Sequence, residues 1–318
     1  MGLEMVKKGP ASPGRYVTVE DRLGMSLPYS KGLMATSIMA TGLAPDRAFA
    51  LAESIEQELA AWRRDAVSAD ELAGLATRVL TARAGPAVAE RYQAWRRAKR
   101  SSKPVVVLIG GATGVGKSTV ATRMGARLGI TRIIPTDAVR EVMRNIISED
   151  VLPAIHVSSF EVSQSVQGPW EGTPDPVLLG FQRQAEAVAA GVKGLITRAI
   201  TERIDIVVEG THVLPGLLTG DWPADQAAVV EVVLAIDDPD AHRAHFLARQ
   251  ELEHGRRPHR YLEHFEEIRT IQAHIRDLAR AHDIPEVLSE DLDGTIQALL
   301  EMVVEAVTIG DRAEAIAL

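Results

Sequence analysis

The sequence predicts an α/β fold, a mostly parallel sheet with flanking helices, preceded by a small, mainly helical domain. Three observations predict it. Short apolar, β-branched runs recur at 105–109, 204–208 and 228–236, each bounded by turn residues. Helical periodicity fills the intervals between these runs, the alternation that places parallel strands under covering helices. Residues 30–100, by contrast, are helical in pattern from end to end.

Residues 1–14 mix Lys, Pro, Gly and Ser without periodicity and are expected to form a disordered tail. Residues 15–27 suit a short hairpin, with Asp21-Arg-Leu-Gly24 as its turn. Ser30 is placed to cap a helix running through Leu33 and Ile38 to Gly42. Pro45 starts a second helix, with Ala48, Leu51, Ile55 and Leu59 along one face. Ser68-Ala-Asp-Glu71 is a capping box opening a third, and residues 86–100 form a fourth. That fourth helix ends in the basic run Arg96-Arg-Ala-Lys-Arg100, which is either a solvated helix end or a phosphate contact. Ser101-Ser-Lys-Pro104 is a polar break and marks the boundary between residues 15–100 and 101–318.

In the second half, the strand at 105–109 leads through a glycine-rich turn into a helix expected to reach Leu128. A brief strand at Ile133-Ile134 precedes a helix ending near Ile147. Residues 153–176 are rich in Ser, Gly and Pro; an irregular stretch of this length reads as a lid or binding loop. A long helix at 177–201 is followed by the strands at 204–208 and 228–236. Residues 242–280 are helical apart from a break at Gly255-Arg-Arg-Pro258. A last strand at 285–288 and a closing helix at 293–307 complete the domain.

Composition narrows the function. The 318 residues suffice for two domains with cores of their own. A net charge of -8 and a pI near 5.7 argue against a nucleic-acid binder acting through bulk charge. There are no cysteines, hence no disulfide framework, thiolate metal site or cysteine nucleophile. The sequence shows neither an apolar run of bilayer-spanning length nor a signal-peptide core, so the expected location is cytoplasmic, with no membrane partner.

The turn after the first strand is Gly111-Ala112-Thr113-Gly114-Val115-Gly116-Lys117-Ser118-Thr119, a full match to G-x-x-x-x-G-K-[ST]. Its glycines let backbone N–H groups converge on phosphate oxygens. Lys117 brings a point charge to the β- and γ-phosphates, and the Ser118 hydroxyl suits Mg²⁺. The following helix adds its positive N-terminal end. ATP and Mg²⁺ are therefore the expected cofactors.

Further residues point to phosphoryl transfer. Asp137 follows the second strand of this half, where the carboxyl ends of parallel strands meet ligands. It is a candidate to orient or deprotonate an acceptor hydroxyl, or else a helix N-cap. Arg140 and Arg144 follow at helical spacing and suit a phosphate or carboxylate on a small anionic acceptor. Glu209 ends an apolar strand, the position from which an acid reaches a Mg²⁺ shell. His212 reads as a hydrogen-bonding residue more than a catalyst. Arg249, Arg256, Arg257 and Arg260, with Tyr261, flank the helical break and suggest a lid. Arg256 and Arg257 are its candidates for touching the transferring phosphoryl group, and Arg260 for touching the acceptor. His242 and His245 do not form a metal-site pattern. The oligomeric state is left open, a homo-oligomer included. The competing readings are a nucleotide-gated regulator and an NTPase working on nucleic acid.

Two resemblances follow. Tyr29-Ser-Lys-Gly-Leu33, the helices after it, and Ala89-Glu-Arg-Tyr-Gln-Ala-Trp-Arg96 resemble an ATP-cone, a regulatory module best known from ribonucleotide reductases. From Tyr29 to about Val303 the chain resembles the 2-phosphoglycerate kinase family. The motifs include Thr136-Asp-Ala-Val-Arg-Glu-Val-Met-Arg144, Val208-Glu-Gly-Thr-His-Val-Leu-Pro-Gly216 and Arg260-Tyr-Leu-Glu-His-Phe-Glu-Glu-Ile-Arg269, besides the phosphate loop. The resemblance implies an ATP-cone-like N-terminal part joined to a P-loop kinase core. It also implies transfer of the γ-phosphate of ATP to 2-phosphoglycerate, giving 2,3-bisphosphoglycerate. Plant proteins with a related core work in inositol phosphate metabolism, so another phosphorylated polyol is the alternative acceptor. Residues 162–172 match the family least.

Overall fold

The structure, a computed structural model, describes residues 17–20, 25–100, 103–165, 175–218, 222–223, 225–252 and 258–317. The expected tail at 1–14 and the turn at 21–24 lie outside them.

The N-terminal unit is mainly helical, as expected, but also contains a small mixed sheet. Strand β1 (Thr18–Glu20) pairs antiparallel with β2 (Ser26–Pro28), which gives the expected hairpin. On its other side β1 pairs in parallel with β3 (Ala66–Ser68), which was not foreseen. Helix α1 (Lys31–Met39) is capped by Ser30, whose hydroxyl accepts from Leu33 N–H. Helix α2 (Pro45–Ala61) begins on its proline. Helix α3 (Ala69–Ala84) opens with a complete capping box, Ser68 and Glu71 each bonding the other's backbone N–H. Gly85 turns the chain into α4 (Pro86–Ala98). Ile38, Leu51, Ile55, Leu59, Leu75, Val79, Leu80 and Tyr92 fill one apolar core.

In the second unit the strands are β4 (Val105–Gly110), β5 (Ile133–Pro135), β6 (Ile206–Glu209), β7 (Ala228–Ala235) and β8 (Glu286–Leu288). They form one sheet in the order β5-β6-β4-β7-β8, and every neighbouring pair is parallel. Alternate residues of β4 serve opposite faces. Val105, Val107 and Ile109 join one apolar cluster, Val106 and Leu108 the other. The helices are α5 (Lys117–Leu128), α6 (Thr136–Ile146), α7 (Pro176–Thr201), α8 (Pro239–Leu252), α9 (Pro258–Glu263), α10 (Phe265–Ala281) and α11 (Leu292–Ala317). Helices α5, α10 and α11 bury residues in the first cluster, while the apolar stripe Val188, Val192 and Ile196 of α7 fills the second. Two sequence expectations are corrected. The stretch before α7 is not structureless, since 3₁₀ turns form at Pro153–His156 and Val162–Ser165. The closing helix runs to Ala317 rather than 307.

The two units pack together. Ala40 and Trp95 of the N-terminal unit lie in the first cluster of the second. Helix α1 packs on α5, and α4 on α11. The basic run at the end of α4 is held in ion pairs: Arg96 and Arg100 with Asp70, and Lys99 with Asp205. Asp205 also accepts from Val105 N–H at 2.9 Å, which ties the end of α4 to the start of β4. Among the alternatives for this run, these pairs favour the helix end over a phosphate contact. No helix among the described residues is long and apolar enough to cross a membrane.

Candidate active site

The site lies at the carboxyl end of β4, between β6 and β7 in the sheet: the chain leaves β4 for β5 and β6 on one side and then crosses to β7 and β8 on the other. Such a switch point leaves a crevice above the sheet. The phosphate loop runs from Gly111 to Gly116 and enters α5 at Lys117. Gly111, Gly114 and Gly116 have φ of 141°, 92° and 88°, conformations that side chains resist. Space excludes side chains here as well. A Cβ on Gly111 would stand 2.4 Å from the Leu234 carbonyl oxygen. One on Gly114 would stand 2.3 Å from the Phe246 ring. Lys117 is buried, and its Nζ donates to the Ala112 carbonyl at 2.7 Å.

Glu209 lies beside this loop because β6 lies beside β4, with Glu209 in register with Ile109. Its carboxylate is buried, and Oε1 accepts from the Ser118 hydroxyl at 2.8 Å. The two oxygen ligands expected to serve the metal thus meet. Hard oxygen donors suit Mg²⁺, which usually takes only one or two protein ligands besides phosphate oxygens and water. Among the described residues there is no cluster of three or more His, Cys, Asp or Glu side chains that could hold a metal ion.

Asp137 stands in the first turn of α6, at the end of the adjacent strand β5. It is not the cap, a position Pro135 takes without a side-chain bond. Its carboxylate is largely exposed and lies 3.4 Å from Arg140 Nε. Arg140 is only partly available. Its Nη1 donates to the Ile155 and Val157 carbonyls at 3.1 and 2.7 Å, which secures the turn after α6. Arg144, one turn further along, is half-exposed and pairs with Glu141 at 3.2 Å.

His212 explains how α6 is held. It is 1% exposed, and its ring bridges two other buried side chains. Thr136 Oγ1 donates to Nδ1 at 2.9 Å, and Nε2 donates to Gln184 Oε1 at 3.0 Å. Gln184 Nε2 in turn bonds the Ala154 and Val157 carbonyls. Burial pushes His212 down to about 4, so the ring is neutral. It orders the site without facing it. Gly210 belongs to the same joint, because a Cβ there would collide with Thr136 Oγ1 at 1.8 Å.

Of the expected lid, Arg256 and Arg257 lie outside the described residues. Arg260 is committed to a bidentate pair with Glu161, whose Oε1 lies 2.9 Å from Arg260 Nε. That hydrogen bonding holds the Glu161 carboxyl below the usual range. Phe160 packs against Tyr261 and His264 with ring centroids 5.6 and 5.4 Å apart, and Phe246 stacks on Tyr261 at 5.2 Å. The chain just after the expected lid break, at 260–264, is therefore fastened to the loop at 158–161.

Sequence reasoning missed the two histidines of α8. His242 Nε2 donates to the Thr113 carbonyl at 2.8 Å, and His245 Nδ1 to the Gly114 carbonyl at 3.1 Å. Burial pushes His242 to about 4, which keeps it neutral. Their spacing of three on one helix, beside an aromatic residue, was the available signal. A search for metal pairs could not interpret it.

No family model matches the chain. The chain is 36% identical over 312 residues to a 2-phosphoglycerate kinase from Methanopyrus kandleri, covering 97% of this chain and 94% of that one. It is 37% identical over 284 residues to the enzyme of that name from Methanothermobacter thermautotrophicus, covering 89% and 92%. For the one from Pyrococcus furiosus the figures are 35% over 279 residues, covering 88% and 90%. Among solved structures, a gluconokinase from Sinorhizobium meliloti 1021 overlaps at a TM-score of 0.40 and 14% identity, covering 68% of this chain and 98% of that one. The strand order above, and not that overlap, defines the fold. Similarity to the curated relatives runs through both units, at an identity well beyond what a shared phosphate loop supplies, and so the chain belongs to the 2-phosphoglycerate kinase family.

Proposed function

We propose that the chain transfers the γ-phosphoryl group of ATP to the free hydroxyl of 2-phosphoglycerate, giving 2,3-bisphosphoglycerate and ADP. The observation that carries this reading is the meeting of three parts at the ends of adjacent parallel strands. These are the phosphate loop after β4, the Ser118–Glu209 pair, and Asp137 after β5.

In this reading the loop N–H groups and Lys117 hold the phosphates of ATP. Ser118 and Glu209 would hold Mg²⁺, which offsets phosphate charge. Asp137 orients the acceptor hydroxyl and takes its proton as the new O–P bond forms. The bond from the γ-phosphorus to the bridging oxygen breaks, and ADP leaves. The acceptor carries a phosphate and a carboxylate and needs cations besides those serving ATP. Arg144 is free to turn toward it from its exposed pair with Glu141, while Arg140 adds charge from a fixed position. Arg260 reaches the acceptor by leaving Glu161, and Arg256 and Arg257 act on the transferring group when the lid closes. The N-terminal unit, ATP-cone-like in sequence, acts as a nucleotide-responsive regulator, a reading supported by the packing of α1 on α5.

A panel of phosphorylated three-carbon acids and inositol phosphates, scored for ADP release, tests the reading. Release that depends on 2-phosphoglycerate supports it. Release that depends only on an inositol phosphate would move the chain to the alternative acceptor.

A further inference from the structure

We infer that His242 and His245 are positioning residues that hold the phosphate loop in its anion-binding shape. The inference rests on the nucleotide site proposed above and deepens it.

In a planar trans peptide the C=O and the next residue's N–H point in opposite directions. The described residues contain no cis peptide bond. The Thr113 carbonyl shares its peptide plane with the Gly114 N–H, and the Gly114 carbonyl with the Val115 N–H. His242 draws the first carbonyl toward α8 at 2.8 Å, and His245 draws the second at 3.1 Å. Both N–H groups are thereby turned away from α8, toward the inside of the loop where phosphate oxygens bind. Gly114 has no side chain to resist rotation of either plane, so an outside constraint is needed to choose one orientation.

Two further observations support a role beyond filling space. Nδ1 of His242 is buried and has no hydrogen-bond partner among the described residues. An apolar side chain of similar size would avoid that desolvation cost, so the ring is retained for its donor. The loop also presses directly on α8, where only the missing side chain at 114 leaves room for the Phe246 and His242 rings. The two histidines stand three apart and face one side.

The donors differ, which makes the test specific. Glutamine places an amide N–H near the position of a histidine Nε2, whereas asparagine places it near Nδ1. His242→Gln should therefore preserve the bond to Thr113, and His242→Asn should be too short to make it. At position 245 the order reverses, with His245→Asn conservative and His245→Gln not. Full-length protein would be titrated by calorimetry with tripolyphosphate, which has the phosphates of ATP without its base, and with Mg-ATP. We expect His242→Asn to weaken both ligands about tenfold, the worth of one well-placed hydrogen bond, and His242→Gln to stay within about threefold of wild type. The KM for 2-phosphoglycerate should stay within about twofold in both. Lys117→Ala serves as the reference. If wild type binds tripolyphosphate no better than Lys117→Ala does, the phosphate-loop reading itself fails, and this inference with it. If that reference holds but His242→Asn binds tripolyphosphate like wild type, or His242→Gln loses as much as His242→Asn, the positioning role is overturned alone.

Discussion

Replacing His212 with phenylalanine tests how the acceptor side is built. The ring joins α6, α7 and the chain after β6 through two hydrogen bonds, to Thr136 and Gln184, both fully buried. Phenylalanine keeps most of the volume but leaves the Thr136 hydroxyl and the Gln184 oxygen without that partner. Each buried group left unsatisfied costs about 1–3 kcal/mol, so the variant should lose about 4 kcal/mol. That is a large share of a stability of about 5–15 kcal/mol, and lowers Tm by about 10 °C. The pH dependence adds a second signature. A histidine held neutral at about 4 in the fold, against an ordinary value of 6.5, must give up its proton on folding at acid pH. Its contribution is therefore present above 6.5 and is lost as pH falls from 6.5 toward 4, amounting to about 2 kcal/mol by pH 5. His242 is depressed to a similar value and adds a similar loss. Urea denaturation at pH 7 and pH 5 should show wild type losing about 4 kcal/mol between them through these two rings, and His212→Phe losing about half of that. A variant within about 1 kcal/mol of wild type at pH 7, or one with an unchanged pH dependence, would refute the buried neutral bridge.

Lys117→Ala should abolish phosphoryl transfer; because the side chain is buried and bonds Ala112, a loss of about 1 kcal/mol in stability should accompany it, read by thermal denaturation. Arg144→Ala should raise the KM for 2-phosphoglycerate about thirtyfold or more while leaving the KM for ATP nearly unchanged, since a charge-assisted contact is worth about 2–3 kcal/mol; equal effects on both would remove Arg144 from the acceptor side. Calorimetry with a non-hydrolysable ATP analogue should find two nucleotides per chain if the N-terminal unit regulates through a site of its own. A single site that vanishes in Lys117→Ala would leave that unit as a structural cap.

Local signals carried much of the fold. The phosphate loop, the Ser68–Glu71 capping box and the Ser30 cap depend on residues within a few positions of one another, so their chemistry is readable along the chain. Strand β3 was not legible, because it is short and pairs with a strand far away in sequence. Its stability comes from that partner rather than from its own pattern. At the site, the meeting of Ser118 and Glu209 followed from strand order, and the sequence anticipated each residue separately. The commitments of Arg140 and Arg260 were not foreseen. An arginine near an anion site reads the same in sequence whether its partner is a substrate or, as here, the backbone at 155–157 or Glu161. The α8 histidines were hidden for a related reason, since their partners are backbone carbonyls, which every sequence supplies equally.

The central claim is that this site joins a phosphoryl group to the hydroxyl of 2-phosphoglycerate. Phosphorus NMR on a reaction of full-length protein with Mg-ATP and 2-phosphoglycerate tests it most directly. Two phosphate-ester resonances from one product, 2,3-bisphosphoglycerate, should grow in step with ADP and be absent with Lys117→Ala. An acyl-phosphate resonance, or inorganic phosphate as the sole new product, would contradict it.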